Sequence, residues 1–577
     1  MKLAESLEKL SSEIINGKNK YNFLVFSIET AGGKTYTSIQ AMAKCNKKCL
    51  FVTKFKSEAI RIAEEINKIS PNKAIAYTPD EKLTGTHCTN SFQTGLEYQN
   101  LIITHSTYIN ISGNINDKYK DWNKSIKNKF TTLIIDEEIN PVKNSMVEYS
   151  LTNYYKWLDC VNYFSNQDLN QRFEGINSYL IGLINEKYNE TNQLHKVCLN
   201  IPIELVVEAK EELVNKIKDV DDELFKEYKE NHGGEFTREI LLAFIEKIHL
   251  IYSCLINSKA IIKPGKALYG YDYNFTYLML ENNIWLDASA NFYTMYNLSD
   301  LFKVIKVDRE IDHSNCKIEF HRINTSTTKK RNDLSIRDEI TNHINSHYKD
   351  KSVLVLSNKQ ECRSLKEYIE EERLDNVKFL NFEEMRGVDR FKDFDVCYYA
   401  HTYRLTPAYY IFLYEYFSRM NLSDEEIVTS NRINLEKSEW GFDNLELHEL
   451  MITDMASSMY QGLKRIQRNN KPNAIFEIWT KEIHSMLIFK HQLYGAKKNM
   501  EIEKELKRTK KDELFNYLIE EWNRKKVRSV DVRKKLSISE PTWKRIWKDK
   551  DFVNKLKERR IKQSYIGKEK CNFVIKY

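Results

Sequence analysis

The chain has 577 residues, 41% hydrophobic, 12% aromatic and 30% charged, with a net charge of +7; such a length calls for about three to five structural units. No stretch approaches the ~18–20 uncharged apolar residues that span a bilayer, and the acid-bearing start Met1–Glu8 does not read as a signal peptide. Ten scattered cysteines without a C-x-x-C pair argue against a zinc ribbon, an iron–sulfur cluster or a disulfide framework. The expectation is a protein of the bacterial or host cytoplasm, with reduced thiols and no membrane partner.

The first ~140 residues alternate apolar runs with helical patterns. Strands are predicted at Asn22–Ile28, Cys49–Thr53, Leu101–Thr104 and Thr132–Asp136, and helices at Thr35–Lys44 and Ser57–Ile69. Continuously apolar strands alternating with helices imply a parallel sheet covered on both faces. From 141 to 280 the pattern turns helical and amphipathic, as at Glu204–Lys218 and Glu239–Ser253, and reads as a mostly helical insertion. The strand signal returns at Ile284–Asp287. A second alternating region has strands at Lys317–Phe320, Val353–Leu356, Val377–Leu380, Asp395–Ala400 and Ala474–Ile478, with a helix at Gln360–Glu370. After about 490 the chain is charged and helical, without a parallel-sheet signal. The expected divisions are 1–140 and 281–312 for the first sheet domain, 141–280 for its insertion, 313–490 for the second, and 491–577 for a basic tail.

Three patterns carry chemistry. Ile28-Glu29-Thr30-Ala31-Gly32-Gly33-Lys34-Thr35 follows a strand and opens a helix. Small residues there let backbone N–H groups wrap phosphates, and the helix N-terminus favours their charge. Lys34 can reach the outer phosphates and the Thr35 hydroxyl can hold Mg²⁺, so Thr30, Gly32, Gly33, Lys34 and Thr35 are the candidate nucleotide-binding residues. Thr132–Asp136 then ends an apolar strand in Asp136-Glu137-Glu138, placing carboxylates where parallel sheets bind ligands. Asp136 is the second candidate Mg²⁺ ligand, and Glu137 the candidate to orient and deprotonate water. Gln461–Arg468 sets Arg465 and Arg468 three apart, one turn after Gln461; arginines can stabilise charge developing on a terminal phosphate. Taken singly, each pattern has a plainer reading: a glycine turn, a charged strand end, a basic helix face.

The tail adds a fourth. Residues 501–577 hold 24 Lys+Arg against 13 Asp+Glu, a net +11 on a body of −4, which suits a polyanion. Val527–Leu536 reads as a short helix, Ser537–Ser539 as a turn with Ser539 as N-cap, and Glu540–Lys548 as a second helix with Pro541 in its first turn. This resembles a helix-turn-helix, with Thr542, Lys544, Arg545 and Lys548 as candidate DNA contacts and Phe573–Tyr577 as a wing strand.

In order, the patterns resemble the superfamily 2 (DEAD/DEAH-like) helicases and translocases, across about 20 to 480. Ile28–Thr35 looks like motif I, with Ala31 replacing a Gly and Ile28 an Ala; Asp136–Ile139 looks like motif II. Gln461–Arg468 is similar to the Q-x-x-G-R-x-x-R form of motif VI, with Lys464 at the Gly. Phe51–Lys54 and Ile103–Thr107 resemble motifs Ia and Ib, Leu286–Ala290 motif III, Val355–Asn358 motif IV, and Met385–Asp389 motif V. The resemblance implies two RecA-like domains closing on ATP and Mg²⁺, with Glu137, Gln461, Arg465 and Arg468 as catalytic residues. It also implies Asp287, Ser289, Arg386, Gly387 and Asp389 as coupling residues, and Thr104 as a nucleic-acid contact. The expected function is ATP-dependent helicase or translocase action on DNA, in replication of a phage-like or other mobile element, with replication or nuclease proteins as partners. An ATP-switched DNA-binding initiator and an RNA helicase are the alternatives.

Overall fold

A computed structural model describes residues 1–79, 85–113, 117–150, 162–164, 168–169, 171, 174, 178, 182, 193–198, 203–231, 237–263, 267–332, 335–371, 374–382, 390–434, 437–502, 510–518, 522, 526–558, 561–565 and 572–576. Two compact units divide the chain: Met1–Ile311 with Arg404–Gln461, and Asp312–Tyr403 with Gly462–Tyr577.

In the first unit, strands β1 (Phe23–Phe26), β2 (Cys49–Thr53), β3 (Ala74–Tyr77), β4 (Cys88–Thr89), β5 (Asn100–Thr104) and β6 (Thr132–Asp136) build most of one sheet. The insertion then supplies β7 (Val147–Ser150), β8 (His195–Val197), β9 (Ala260–Lys263) and β10 (Ala267–Gly270), before β11 (Asn282–Leu286) and β12 (Phe302–Ile305) return to the main sheet. Its order is β12-β1-β11-β6-β2-β5-β3-β4, all parallel. The strands β1, β2, β5, β6 and β11 are buried along their whole length, as expected where helices cover both faces. A fully buried Leu, Ile or Val such as Ile134 contributes about 1.5–3 kcal/mol. At the start of β11, buried Asn282 and Asn283 are satisfied by backbone carbonyls: Asn282 donates to Glu13 O (2.7 Å) and Asn283 to Asn19 O (2.7 Å). These bonds fasten the helix Leu3–Asn16 to the sheet; its Leu10 and Ile14 lie in the core.

The insertion carries the expected helices, Ile203–Asp219 and Arg238–Ile256, with Asp222–Asn231 between them. It also carries an unforeseen antiparallel sheet, β7-β10-β9-β8. Short strands more than a hundred residues apart leave no local signature.

The second unit holds β13 (Lys317–His321), β14 (Val353–Ser357), β15 (Val377–Asn381) and β16 (Val396–Tyr399). The chain next forms, within the first unit, the helix Pro407–Ser418, the hairpin β17 (Thr429–Asn434) and β18 (Lys437–Phe442), and, as far as Gln461, the helix Leu445–Leu463. The second unit then resumes with β19 (Ile475–Trp479) and β20 (Lys497–Ile502). Its parallel sheet has the order β15-β14-β16-β19-β13-β20.

Two expectations change. The stretch 404–461, read as part of the second sheet domain, belongs to the first unit. Pro407–Ser418 is apolar almost all round and buried from Ala408 to Phe417, so it needs cover on every side, and its pattern does not say which sheet supplies it. Its partners are in the first unit: Tyr416 donates to Phe275 O (2.9 Å), and Asn140 donates to Tyr409 Oη (2.7 Å). The second change is β20, which lies beyond the expected limit at 490 and joins the sheet beside β13. Its sequence, Lys-Lys-Asn-Met-Glu-Ile, lacks the apolar run of the inner strands because it lies at the sheet's edge.

The tail folds on its own core of Leu514, Leu518, Trp522, Val532, Trp543, Ile546, Phe552 and Leu556. Ser529–Lys535 and Glu540–Lys548 are the two helices, joined through Ser537 at φ 52. Strands β21 (Lys526–Arg528), β22 (Ile561–Tyr565) and β23 (Asn572–Lys576) form a three-stranded antiparallel sheet in the order β21-β23-β22.

Candidate active site

The helix Lys34–Lys44 starts directly after the glycine loop, with Gly33 at φ 85 as its N-cap residue. A side chain there would be strained. Gly32 is required for another reason: a Cβ would sit 2.8 Å from Ile28 Cγ2. The departure at Ile28 is thus accommodated by the glycine beneath it. Ala31, where the helicase pattern has Gly, adopts φ 70, a conformation that costs an L-residue about 1–2 kcal/mol. The loop is held in that shape by its surroundings. Glu29 accepts from the backbone N–H groups of Glu310 (3.0 Å) and Ile311 (2.9 Å). Arg309 donates to Ser27 O (3.2 Å) and Ala288 O (2.6 Å), and its guanidinium lies over the Tyr460 ring. The Thr30 N–H donates to Tyr460 Oη (3.3 Å).

Thr35 and Asp136 meet, as the metal reading requires. The Thr35 hydroxyl donates to Asp136 Oδ2 at 3.0 Å. Asp136 Oδ1 is buried without a hydrogen-bond partner, the condition of a carboxylate oxygen made for a cation. Burial, opposed by the charge of Lys34, raises the Asp136 pKa from 3.8 to about 6. A buried acid paired with a hydroxyl and one orphaned oxygen fits Mg²⁺, for which Thr35 and Asp136 would be the ligands.

That shift has a signed consequence. Asp136 holds its proton more tightly folded than unfolded, so its contribution to stability is full below pH 3.8 and is lost as the pH rises through about 6. The loss is about 3 kcal/mol, and a bound cation offsets it. Mg²⁺ is therefore expected to raise the thermal midpoint at pH 8 and to do little at pH 5, its apparent affinity falling about tenfold per pH unit below 6. Melting curves with and without Mg²⁺ test this; equal gains at both pH values would sink it.

Glu137 follows Asp136 at φ 69, and its N–H donates to Leu286 O on β11 (3.0 Å). The pinned left-handed turn directs the chain away from the strand immediately after the Asp136 carboxylate. His105 Nε2 lies 2.8 Å from Asp136 O and holds the same corner. Asp287 is buried and satisfied: Ser289 donates to Oδ1 by N–H (2.8 Å) and hydroxyl (2.7 Å), Tyr296 to Oδ2 (2.6 Å), and Gln461 Nε2 to Oδ1 (3.4 Å). Lys34, Thr35, Asp136, Glu137, Asp287, Ser289 and Gln461 all belong to the first unit.

Arg465 and Arg468 belong to the second unit, the boundary falling within the helix Leu445–Leu463. Arg465 is fully buried, and Arg468 donates to Lys464 O (3.3 Å). Thr104 is buried; its hydroxyl accepts from Thr107 N–H (3.3 Å) and caps the helix His105–Ser112. Arg386, Gly387 and Asp389 lie outside the described residues. On the tail, Lys544, Arg545 and Lys548 are exposed and Thr542 half-buried, while Trp543 and Ile546 face the core.

Sequence reasoning missed Tyr460, Arg309 and Glu29. Their only signal was adjacency, Tyr460 preceding Gln461 and Glu29 opening the loop. Tyr460→Phe keeps the ring but leaves the Thr30 N–H without its partner, a loss of about 1 kcal/mol. The KM for ATP is expected to rise about fivefold with little change in kcat; steady-state kinetics showing an unchanged KM would remove Tyr460 from the loop's support.

Residues 2–167 match the family described as Type III restriction enzyme, res subunit. No curated protein matches the chain. Among solved structures, an XPD protein in its apo form is similar at 14% identity and TM-score 0.52, over 86% of this chain and 99% of that one. Xpd4 of S. tokodaii is similar at 13% identity and TM-score 0.48, over 86% and 99%. No helix among the described residues is long and apolar enough to cross a membrane. The chain shares its fold, two parallel-sheet α/β domains, with that XPD structure.

Proposed function

We propose that the chain is an ATP-dependent DNA helicase or translocase, using Mg²⁺-ATP to move along or unwind DNA in the replication of a mobile element. The observation that carries the reading is the Thr35–Asp136 contact with its orphaned Asp136 oxygen, beside a lysine loop and at the carboxyl end of a parallel sheet. In this reading Thr30, Gly32, Gly33 and Lys34 cradle the phosphates, Glu137 and Gln461 orient the attacking water, and Arg465 and Arg468 stabilise charge on the terminal phosphate. Mg²⁺, which Thr35 and Asp136 would hold, would supply positive charge to the phosphates. Asp287, Ser289, Arg386, Gly387 and Asp389 relay nucleotide state to the track, and Thr104 lies on the strand end that leads to it. The tail is a helix-turn-helix of winged type, its exposed Lys544, Arg545 and Lys548, with Thr542, meeting DNA. The protein acts in the cytoplasm, with replication or nuclease proteins as partners.

The test is ATP hydrolysis without polymer and then with single-stranded DNA, duplex DNA and RNA. Stimulation by DNA above RNA supports the reading. Stimulation by RNA alone replaces it with an RNA helicase, and indifference to every polymer with an ATP-switched regulator. Reversing charge at Lys544, Arg545 and Lys548 together is expected to weaken DNA binding at least tenfold and to flatten its salt dependence, since each lost phosphate contact lowers the slope of log K against log salt by about 0.9. Hydrolysis without DNA is expected to stay unchanged. Unaltered binding in a fluorescence titration would take the tail off the DNA.

A further inference from the structure

The second unit holds a cluster of metal-capable side chains that the nucleotide chemistry does not use. His321 ends β13, Glu477 lies on β19, and His343 lies on the helix Ser335–His347. One ligand-capable atom from each lies within 4.8 Å of the other two. The strands β13 and β19 are parallel neighbours with His321 opposite Trp479, so Glu477, two residues earlier, shares the face of His321. His321 and Glu477 are 4% and 1% exposed. A carboxylate so deep needs compensating partners, and the surroundings supply them in the pattern of a coordination site. The Tyr348 hydroxyl donates to Glu477 Oε1, and the Trp479 indole N–H donates to Oε2 (3.3 Å). Tyr398 Oη lies 2.7 Å from His343 Nδ1, which makes Nε2 the ligating nitrogen of that ring. Outer hydrogen bonds of this kind orient ligands and set their tautomers.

We propose that His321, His343 and Glu477 bind one divalent transition-metal ion, with Zn²⁺ as the match to the donor set. Two imidazoles and one carboxylate select such ions over Mg²⁺ and Ca²⁺, and three protein ligands leave a fourth position for water. His321 Nε2 and Glu477 Oε2 stand 2.7 Å apart as a hydrogen bond. Two donors to one tetrahedral ion sit roughly 3.3 Å apart, given bond lengths of about 2.0–2.2 Å. Binding therefore exchanges the hydrogen bond for two coordinate bonds. The ion clasps a covering helix to two inner strands, so its role is to brace the second unit.

The full chain, stripped with EDTA and desalted, is titrated with Co²⁺. Tetrahedral Co²⁺ bound by imidazole absorbs intensely in the visible, whereas six-coordinate Co²⁺ held by oxygens, as at Thr35 and Asp136, absorbs weakly. The expected result is one equivalent of intensely absorbing Co²⁺, displaced by Zn²⁺, retained in Asp136→Asn and lost in His343→Ala. Zn²⁺ raises the thermal midpoint of the wild type by several degrees and that of His343→Ala not at all. Weak absorption in the wild type overturns the proposal, whatever the variant does, and so does His343→Ala that keeps the intense bands.

Discussion

Glu137→Gln is expected to lower ATP turnover by about 10²–10⁴-fold, the range for a positioned general base, while ATP binding and thermal stability stay near those of the wild type. Gln keeps the shape and the N–H that donates to Leu286 O and loses only the capacity to take a proton. Glu137 sits at φ 69, where an ordinary side chain costs about 1–2 kcal/mol, and strain of this kind is tolerated where function requires it. A companion substitution separates the two roles. Glu137→Gly relieves the backbone, so it is expected to melt at or above the wild-type temperature with turnover as low as that of Glu137→Gln. Single-turnover hydrolysis, nucleotide titration and calorimetry measure the three quantities. Turnover within threefold of wild type in Glu137→Gln would assign the base elsewhere.

Lys34→Ala is expected to reduce kcat/KM for ATP by about 10²–10³-fold, the cost of one electrostatic donor at a developing charge. Unlike Glu137→Gln, it also weakens nucleotide binding, because the ammonium meets the phosphates in the ground state as well. A second effect follows from Asp136. The charge of Lys34 opposes the upward push of burial on that carboxyl, so its removal raises the Asp136 pKa further and moves the acid limb of Mg²⁺ binding to higher pH. The shift is read by repeating the Mg²⁺-dependent melting across pH 5 to 8. An acid limb unmoved in Lys34→Ala would mean that the lysine does not act on Asp136.

The glycine loop and the carboxylates at the end of β6 were legible because each is local. Strands β1 and β6 are buried on both faces and written as apolar runs, so the loop after one and the carboxylates after the other fall where the sequence places them. Ile28 and Ala31 depart from the helicase pattern of the loop. The structure gives each a physical account: Ile28 packs above Gly32, and Ala31 keeps the left-handed backbone that glycine adopts without cost. What was not legible depends on distant pairing. Tyr460 meets Thr30 across 430 residues. The antiparallel sheet of the insertion joins Val147–Ser150 to Ala267–Gly270. The affiliation of 404–461 turns on which surface covers an all-round apolar helix, and hydrophobic periodicity reports that a helix is buried without naming its neighbour.

The position of β1 bears on how the molecule is made. Its two neighbours in the sheet are β11 and β12, with Leu24 beside Ile284 and Lys303. No strand synthesised before residue 282 pairs with it. At about 5–20 residues per second, the nascent chain spends roughly 15–60 s with Phe23–Phe26 translated and without its lateral partners. During that interval an apolar ribbon presents unpaired backbone groups on both sides, a template for association with other chains. Pairing at such sequence separation is also slow to nucleate. Yield in recombinant production should therefore respond more to slowed translation and chaperone supply than to any stabilising change on the finished surface.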